Sequence, residues 1–144
     1  MVIVDDHLTL LALAGVMPIT ELGDDIATTS LWYLRLVSVA TAPPAEVHGP
    51  SRLGRILQSL PEPASALERI LHPPRTTLQV LHPMEFAVET ARMQRERSLN
   101  LLAAETVGAA SHHGASVLVA APNAGGPIER AANAEGISYA VRTS

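Results

Sequence analysis

The feature that most constrains this chain is the alternation in its last third, LNLLAAETVGAASHHGASVLVAAPNAGGPIERAANAEGISYAVRTS. It reads as helix, β-branched strand, polar glycine-rich turn, second helix and closing strand. Strands joined through helices run parallel, because a hairpin cannot connect them and the crossover must return over the sheet. Glu105 falls within the otherwise apolar first helix of this segment. An unpaired carboxylate is expensive to bury, so Glu105 needs a partner.

The start of the chain supplies a second acidic point. VIVDD is a β-branched run ending in Asp5 and Asp6, the pattern of a buried central strand. HLTLLALAG follows as a short apolar helix with Gly15 as its stop. Thr28, Thr29 or Ser30 caps the next helix, SLWYLRLVSVA, which sets Leu31, Leu34 and Val37 or Ser38 along one side. TAPPAEVHGP, from Thr41 to Pro50, is a proline-rich break that cannot sustain a helix. Two short helices, SRLGRILQSL and ASALERILH, come next, then a strand TTLQVLH and a helix PMEFAVETARMQRER opened by Pro83.

These segments predict an α/β fold: a short parallel sheet of about four strands, at 1–5, 76–81, 116–121 and 137–142, flanked by helices on both faces. The expected organisation is a single domain over 1–144 with a helical insertion at about 16–75. Ligands in such sheets sit outside the carboxyl ends of the strands. Asp5 and Asp6 end the first strand, and Ala121 to Asn123 end the VLVAA strand, so both lie on that edge.

Composition excludes several classes. No cysteine is present, which rules out disulfides, thiolate metal sites and cysteine nucleophiles, and fits a cytoplasmic protein. The apolar runs are too short and interrupted to span a bilayer, and the N-terminus lacks the basic residues that open a secretory signal. A net charge of −4 argues against broad electrostatic binding to nucleic acid. All 10 basic side chains are arginine. That is either the compositional skew that also enriches alanine, or a set of planar forks suited to phosphate.

The remaining polar features each carry a structural and a chemical meaning. Asp5 or Asp6 serves either as a helix cap or as a metal or substrate ligand. Glu105 is either a satisfied buried carboxylate or a site residue. His112 and His113 point apart on a helix and, beside Gly114, suit a cationic C-terminus better than a metal. His7, next to the acids, is a core or capping histidine or a group that orients an aspartate. APNAGGPIER lacks the spacing of a phosphate-binding fingerprint and reads as a connecting turn. RMQRER, residues 92–97, reads as a solvated face that could also meet RNA. Trp32 and Tyr33 read as core or dimer contacts.

The order of elements, with HPMEFAVETA, LLAAETVGAA and GASVLVAAPN in sequence after an opening strand that ends in Asp, resembles the PIN-domain proteins. The resemblance is best over 76–142 and looser over 16–75. Many members are toxin ribonucleases of bacterial toxin–antitoxin pairs. It implies three or four acids that hold Mg²⁺ or Mn²⁺ and activate water for RNA cleavage. On this likeness Asp5 is the first acid and Glu105 the third, both catalytic. Asp5, Asp6, Glu105 and Asn123 then form the metal shell, with Asn123 offering a neutral carbonyl oxygen. The likeness also implies RNA as substrate, a cognate antitoxin protein as partner, and a homodimer.

The chain departs from the family pattern at two places. Where the second acid belongs, after TTS, stand Trp32, Tyr33, Leu34 and Arg35, and where the fourth belongs stand Ala121, Pro122 and Asn123. Two functions therefore remain open: a Mg²⁺-dependent endoribonuclease with an incomplete acidic set, or a catalytically inactive binding or regulatory module acting through protein partners.

Overall fold

A computed structural model describes residues 1–42 and 51–143, so most of the proline-rich break lies outside the described residues. β1 (Val2–Val4) leads directly into α1 (Asp6–Leu13), because Asp5 sits in extended backbone and its side chain caps the helix. Beyond α1, Gly15 adopts φ +73°, the left-handed conformation that ends a helix readily only at glycine. β2 (Ile26–Thr29) and α2 (Ser30–Ala40) follow, joined by the Thr29 cap. α3 (Arg52–Ser59) is capped by Ser51, and α4 (Pro63–Leu71) opens on proline. β3 (Gln79–Leu81) runs through a short 3₁₀ turn into α5 (Ala87–Arg97). α6 (Leu101–His113), β4 (Ser116–Ala120), α7 (Gly126–Ala134) and β5 (Tyr139–Arg142) complete the chain.

The strands form one parallel sheet in the order β3-β2-β1-β4-β5. The α/β class and the parallel sheet are as the alternation implied. The fifth strand, β2, was not expected from the sequence, where its threonines read only as caps. IATT is four residues long and all four are buried. Its strand character comes from pairing on both sides, with β1 and β3, more than from its own pattern. The segment 16–75 is therefore not a purely helical insertion, since it contributes a strand to the middle of the sheet. The third strand is also shorter than expected, beginning at Gln79, with residues 76–78 outside it.

Successive side chains of a strand face opposite sides, so each strand serves two cores. Ile3, Val117 and Val119 pack with Phe86, Met93 and Val107 of the α5–α6 layer. Val4 packs with Leu8, Leu10, Leu36, Leu53 and Ile70 from α1 to α4. Each such side chain, fully buried, contributes roughly 1.5–3 kcal/mol of hydrophobic stabilisation. In α2 the buried side is Trp32 and Leu36; of the expected stripe, Leu34 is exposed, Leu31 is half-buried and Val37 is half-buried against the core. Trp32 is a core residue, its indole nitrogen donating to Thr106 Oγ1 at 2.9 Å, and the Tyr33 hydroxyl donates to the Ile70 carbonyl at 2.6 Å. α5 and α6 cross closely at Gly108, where an added Cβ would lie 2.8 Å from Thr90 Oγ1. Among the described residues no helix is long and apolar enough to cross a membrane.

Candidate functional site

The strand order reverses direction between β1 and β4, and the crevice at that switch is where open α/β sheets take their ligands. Asp5 stands at the mouth of this crevice and bridges it. Its Oδ1 accepts from the Leu8 amide at 2.9 Å, and its Oδ2 accepts from the Ala120 amide and Asn123 Nδ2, each at 2.8 Å. The first bond caps α1, and the other two pin the end of β4 to the end of β1. Asp5 is completely buried, and three N–H donors compensate its charge.

Asp6 occupies the first turn of α1, also fully buried. Its Oδ1 accepts from Asn123 Nδ2 at 3.1 Å. Its Oδ2 makes no hydrogen bond and lies 3.5 Å from Arg35 Nε, an ion pair without hydrogen-bond geometry. Burial pushes the Asp6 carboxyl above its ordinary range; the Arg35 charge opposes this, and the neighbouring Asp5 reinforces it. The Arg35 guanidinium in turn lies 5.1 Å from the centroid of the Trp32 ring, which holds the arginine over the site. His7 faces the same region with a buried Nδ1 that has no hydrogen-bond partner. Burial holds its pKa below the ordinary value, Asp5 and Asp6 pull it up, and the Arg52 charge pushes it further down.

Asn123 presents its amide nitrogen to both aspartates rather than its carbonyl oxygen. A metal ligand would need the opposite end. Between two carboxylates the donor end is the stable choice, since a carbonyl there would repel both.

Glu105 is buried in α6 and does find a partner, on a different element. Its carboxylate accepts from the Ser30 hydroxyl at 3.0 and 3.1 Å and from the Leu31 amide at 3.0 Å. These donors belong to the first turn of α2, so Glu105 acts as a distant N-terminal cap. Among the described residues no hydrogen bond joins Glu105 to Asp5, Asp6 or Asn123. The fold therefore brings Asp5, Asp6 and Asn123 into one network and gives Glu105 separate work at the next strand end.

This donor set does not suit a hydrated divalent cation. Mg²⁺ asks for several oxygen ligands free to turn toward it. Here Asp5 is engaged by amides, Asn123 offers nitrogen, and a guanidinium already stands beside Asp6. Among the described residues no group of three histidine, aspartate or glutamate side chains is placed to hold a metal.

The other sequence candidates take structural places. Arg92 pairs with Glu96 and Glu135 at 3.3 and 2.7 Å, and Arg97 with Glu135 at 3.4 Å, so this part of RMQRER ties α5 to the end of α7. His112 and His113 meet Glu89 and Glu85 at 3.1 and 3.8 Å across the α5 side. In the turn before α7, the Gly125 amide is taken by the Tyr139 hydroxyl at 3.2 Å. Sequence reasoning missed Arg35 as the partner of Asp6, Ser30 as the partner of Glu105, and Arg52 near His7. The one available signal was the arginine standing where the family pattern carries an acid.

No family model matches the chain, and no curated protein matches it.

Proposed function

We propose that this chain is a PIN-like domain that binds a partner protein and does not cleave RNA. The observation that carries this reading is the Asp6–Arg35 pair. A fixed cation beside the carboxyl-edge acids repels a metal ion and neutralises the charge that would attract one. The three donors on Asp5 and the helix-capping role of Glu105 support it, because both carboxylates have work that a metal would interrupt. The acids then serve to lock β1, β4 and α2 together, and function falls to the surface they rigidify. A protein of the antitoxin kind, or a second copy of this chain, is the partner class that the resemblance implies.

The competing reading is a Mg²⁺- or Mn²⁺-dependent ribonuclease using Asp5 and Glu105. The test incubates the native chain, Asp5→Asn and Glu105→Gln with mixed single-stranded RNA and either metal. We expect no metal-dependent cleavage from any of them. Robust cleavage by the native chain that both substitutions abolish would restore the enzyme and overturn the module.

A further inference from the structure

Between α2 and the start of α3 lies a cleft of about 410 Å³ whose polar wall is built by Asp6, Arg35, Ser38 and Arg52. Its volume falls in the range of small-molecule sites. Two buried atoms of this lining make no hydrogen bond among the described residues: Asp6 Oδ2, which instead faces Arg35 Nε at 3.5 Å, and Arg52 Nε. Buried polar atoms are nearly always satisfied, so the unbonded Arg52 Nε marks a guanidinium short of an acceptor on this cleft. Arg35 contributes a further opening. Its Nε faces Asp6 and its Cζ lies 5.1 Å from the Trp32 ring centroid, while its terminal nitrogens make no hydrogen bond among the described residues. Two arginines against one carboxylate leave the polar wall with a net positive charge. The apolar part of the lining is Leu34, Val39 and Leu53.

We propose that this cleft binds a small phosphomonoester. Arg35 and Arg52 hold the phosphate from α2 and α3, and the organic body lies on Leu34, Val39 and Leu53. Arginine forks match phosphate oxygens in pairs, which a carboxylate-lined metal site cannot do. Two cations on one cleft suit a single phosphate, whereas a nucleic-acid strand needs cations spaced along a groove. The exposed Leu34, without a place in the core, gains a purpose as part of the ligand's seat. This site shares Arg35 with the module reading and adds Arg52, which that reading does not use, so native-like binding by the Arg52 variants and RNA cleavage by the native chain fail them separately.

The test is calorimetric titration of the full chain with adenosine 5′-monophosphate, phenyl phosphate, inorganic phosphate and adenosine. At least one ester should bind saturably and more tightly than inorganic phosphate, and adenosine should not bind. Arg52→Gln should weaken the ester by about tenfold or more with an unchanged unfolding midpoint. Arg52→Lys, which keeps the charge and loses the fork, should retain weakened binding and covers the case in which Arg52→Gln fails to fold. The proposal is overturned if neither ester binds up to roughly 10 mM. It is equally overturned if Arg52→Gln and Arg52→Lys bind like the native chain, or if inorganic phosphate binds as tightly as the esters.

Discussion

Replacing Glu105 by glutamine separates its two possible roles by the sign of the effect on stability. As a cap, the carboxylate accepts from the Ser30 hydroxyl and the Leu31 amide at 3.0–3.1 Å, in a position only 5 % exposed. A hydrogen bond to a charged group is worth about 1.5–3 kcal/mol. The favourable placement of a negative charge at a helix N-terminus adds about 0.3–1 kcal/mol. Glutamine keeps the shape and one acceptor oxygen, but turns an NH₂ group toward donors that need an acceptor. The relief of burying a neutral group returns part of the loss, leaving a net destabilisation of about 1–2 kcal/mol. For a chain of this size each kcal/mol moves the unfolding midpoint by roughly 3 °C, so the midpoint should fall by about 3–6 °C. As a metal ligand in an acidic cluster, Glu105 would behave oppositely: neutralising it would relieve repulsion and raise the midpoint without metal. The assay is thermal unfolding followed by circular dichroism at neutral pH, with and without millimolar Mg²⁺. An unchanged or raised midpoint in Glu105→Gln would refute the capping argument. So would a Mg²⁺-induced rise in the native chain that the variant loses.

Gly108→Ala should destabilise the fold by up to about 2 kcal/mol, because an overpacking cost of about 1–3 kcal/mol at a tight crossing exceeds the roughly 1 kcal/mol that alanine gains in helix propensity. The added Cβ would meet Thr90 Oγ1, N and Cα at 2.8, 2.9 and 3.0 Å, and two of these are backbone atoms that cannot swing away. Urea unfolding checks it, and a midpoint equal to or above that of the native chain would show that α5 and α6 separate freely. Asp6 governs a pH effect: its pKa is raised above the ordinary 3.8, so the folded state holds the extra proton between that value and the raised one. Its contribution therefore weakens folding as pH rises through that window. Asp6→Asn should remove that slope from a plot of urea midpoint against pH, and Arg35→Gln should steepen it, since the guanidinium opposes the shift. A slope that survives Asp6→Asn would assign it to another group.

The local elements of this protein were legible in its sequence because local physics makes them. VIVDD and SVLVAA carry enough β-branched character to be strands wherever they fall, Asp5 caps the helix that begins immediately after it, and Gly114 ends α6 with φ +61°. Strands separated by helices also imposed the parallel sheet, and with it the carboxyl edge on which Asp5, Asp6 and Asn123 meet. Glu105 stood out as a carboxylate within an apolar helix, and its need for a partner followed from those surroundings. Which partner it has was decided only in three dimensions. Ser30 is 75 residues away in the chain, on a helix whose start is placed by β2, a strand that exists through its neighbours. In the same way Asp6 meets Arg35 only because α1 and α2 pack side by side from adjacent strands. Capping and periodicity act over a few residues, so sequence alone determined what each element is and which groups had to be satisfied. The crossovers of a parallel sheet join residues tens of positions apart, so tertiary structure alone decided that the acids here are held by amides and arginine.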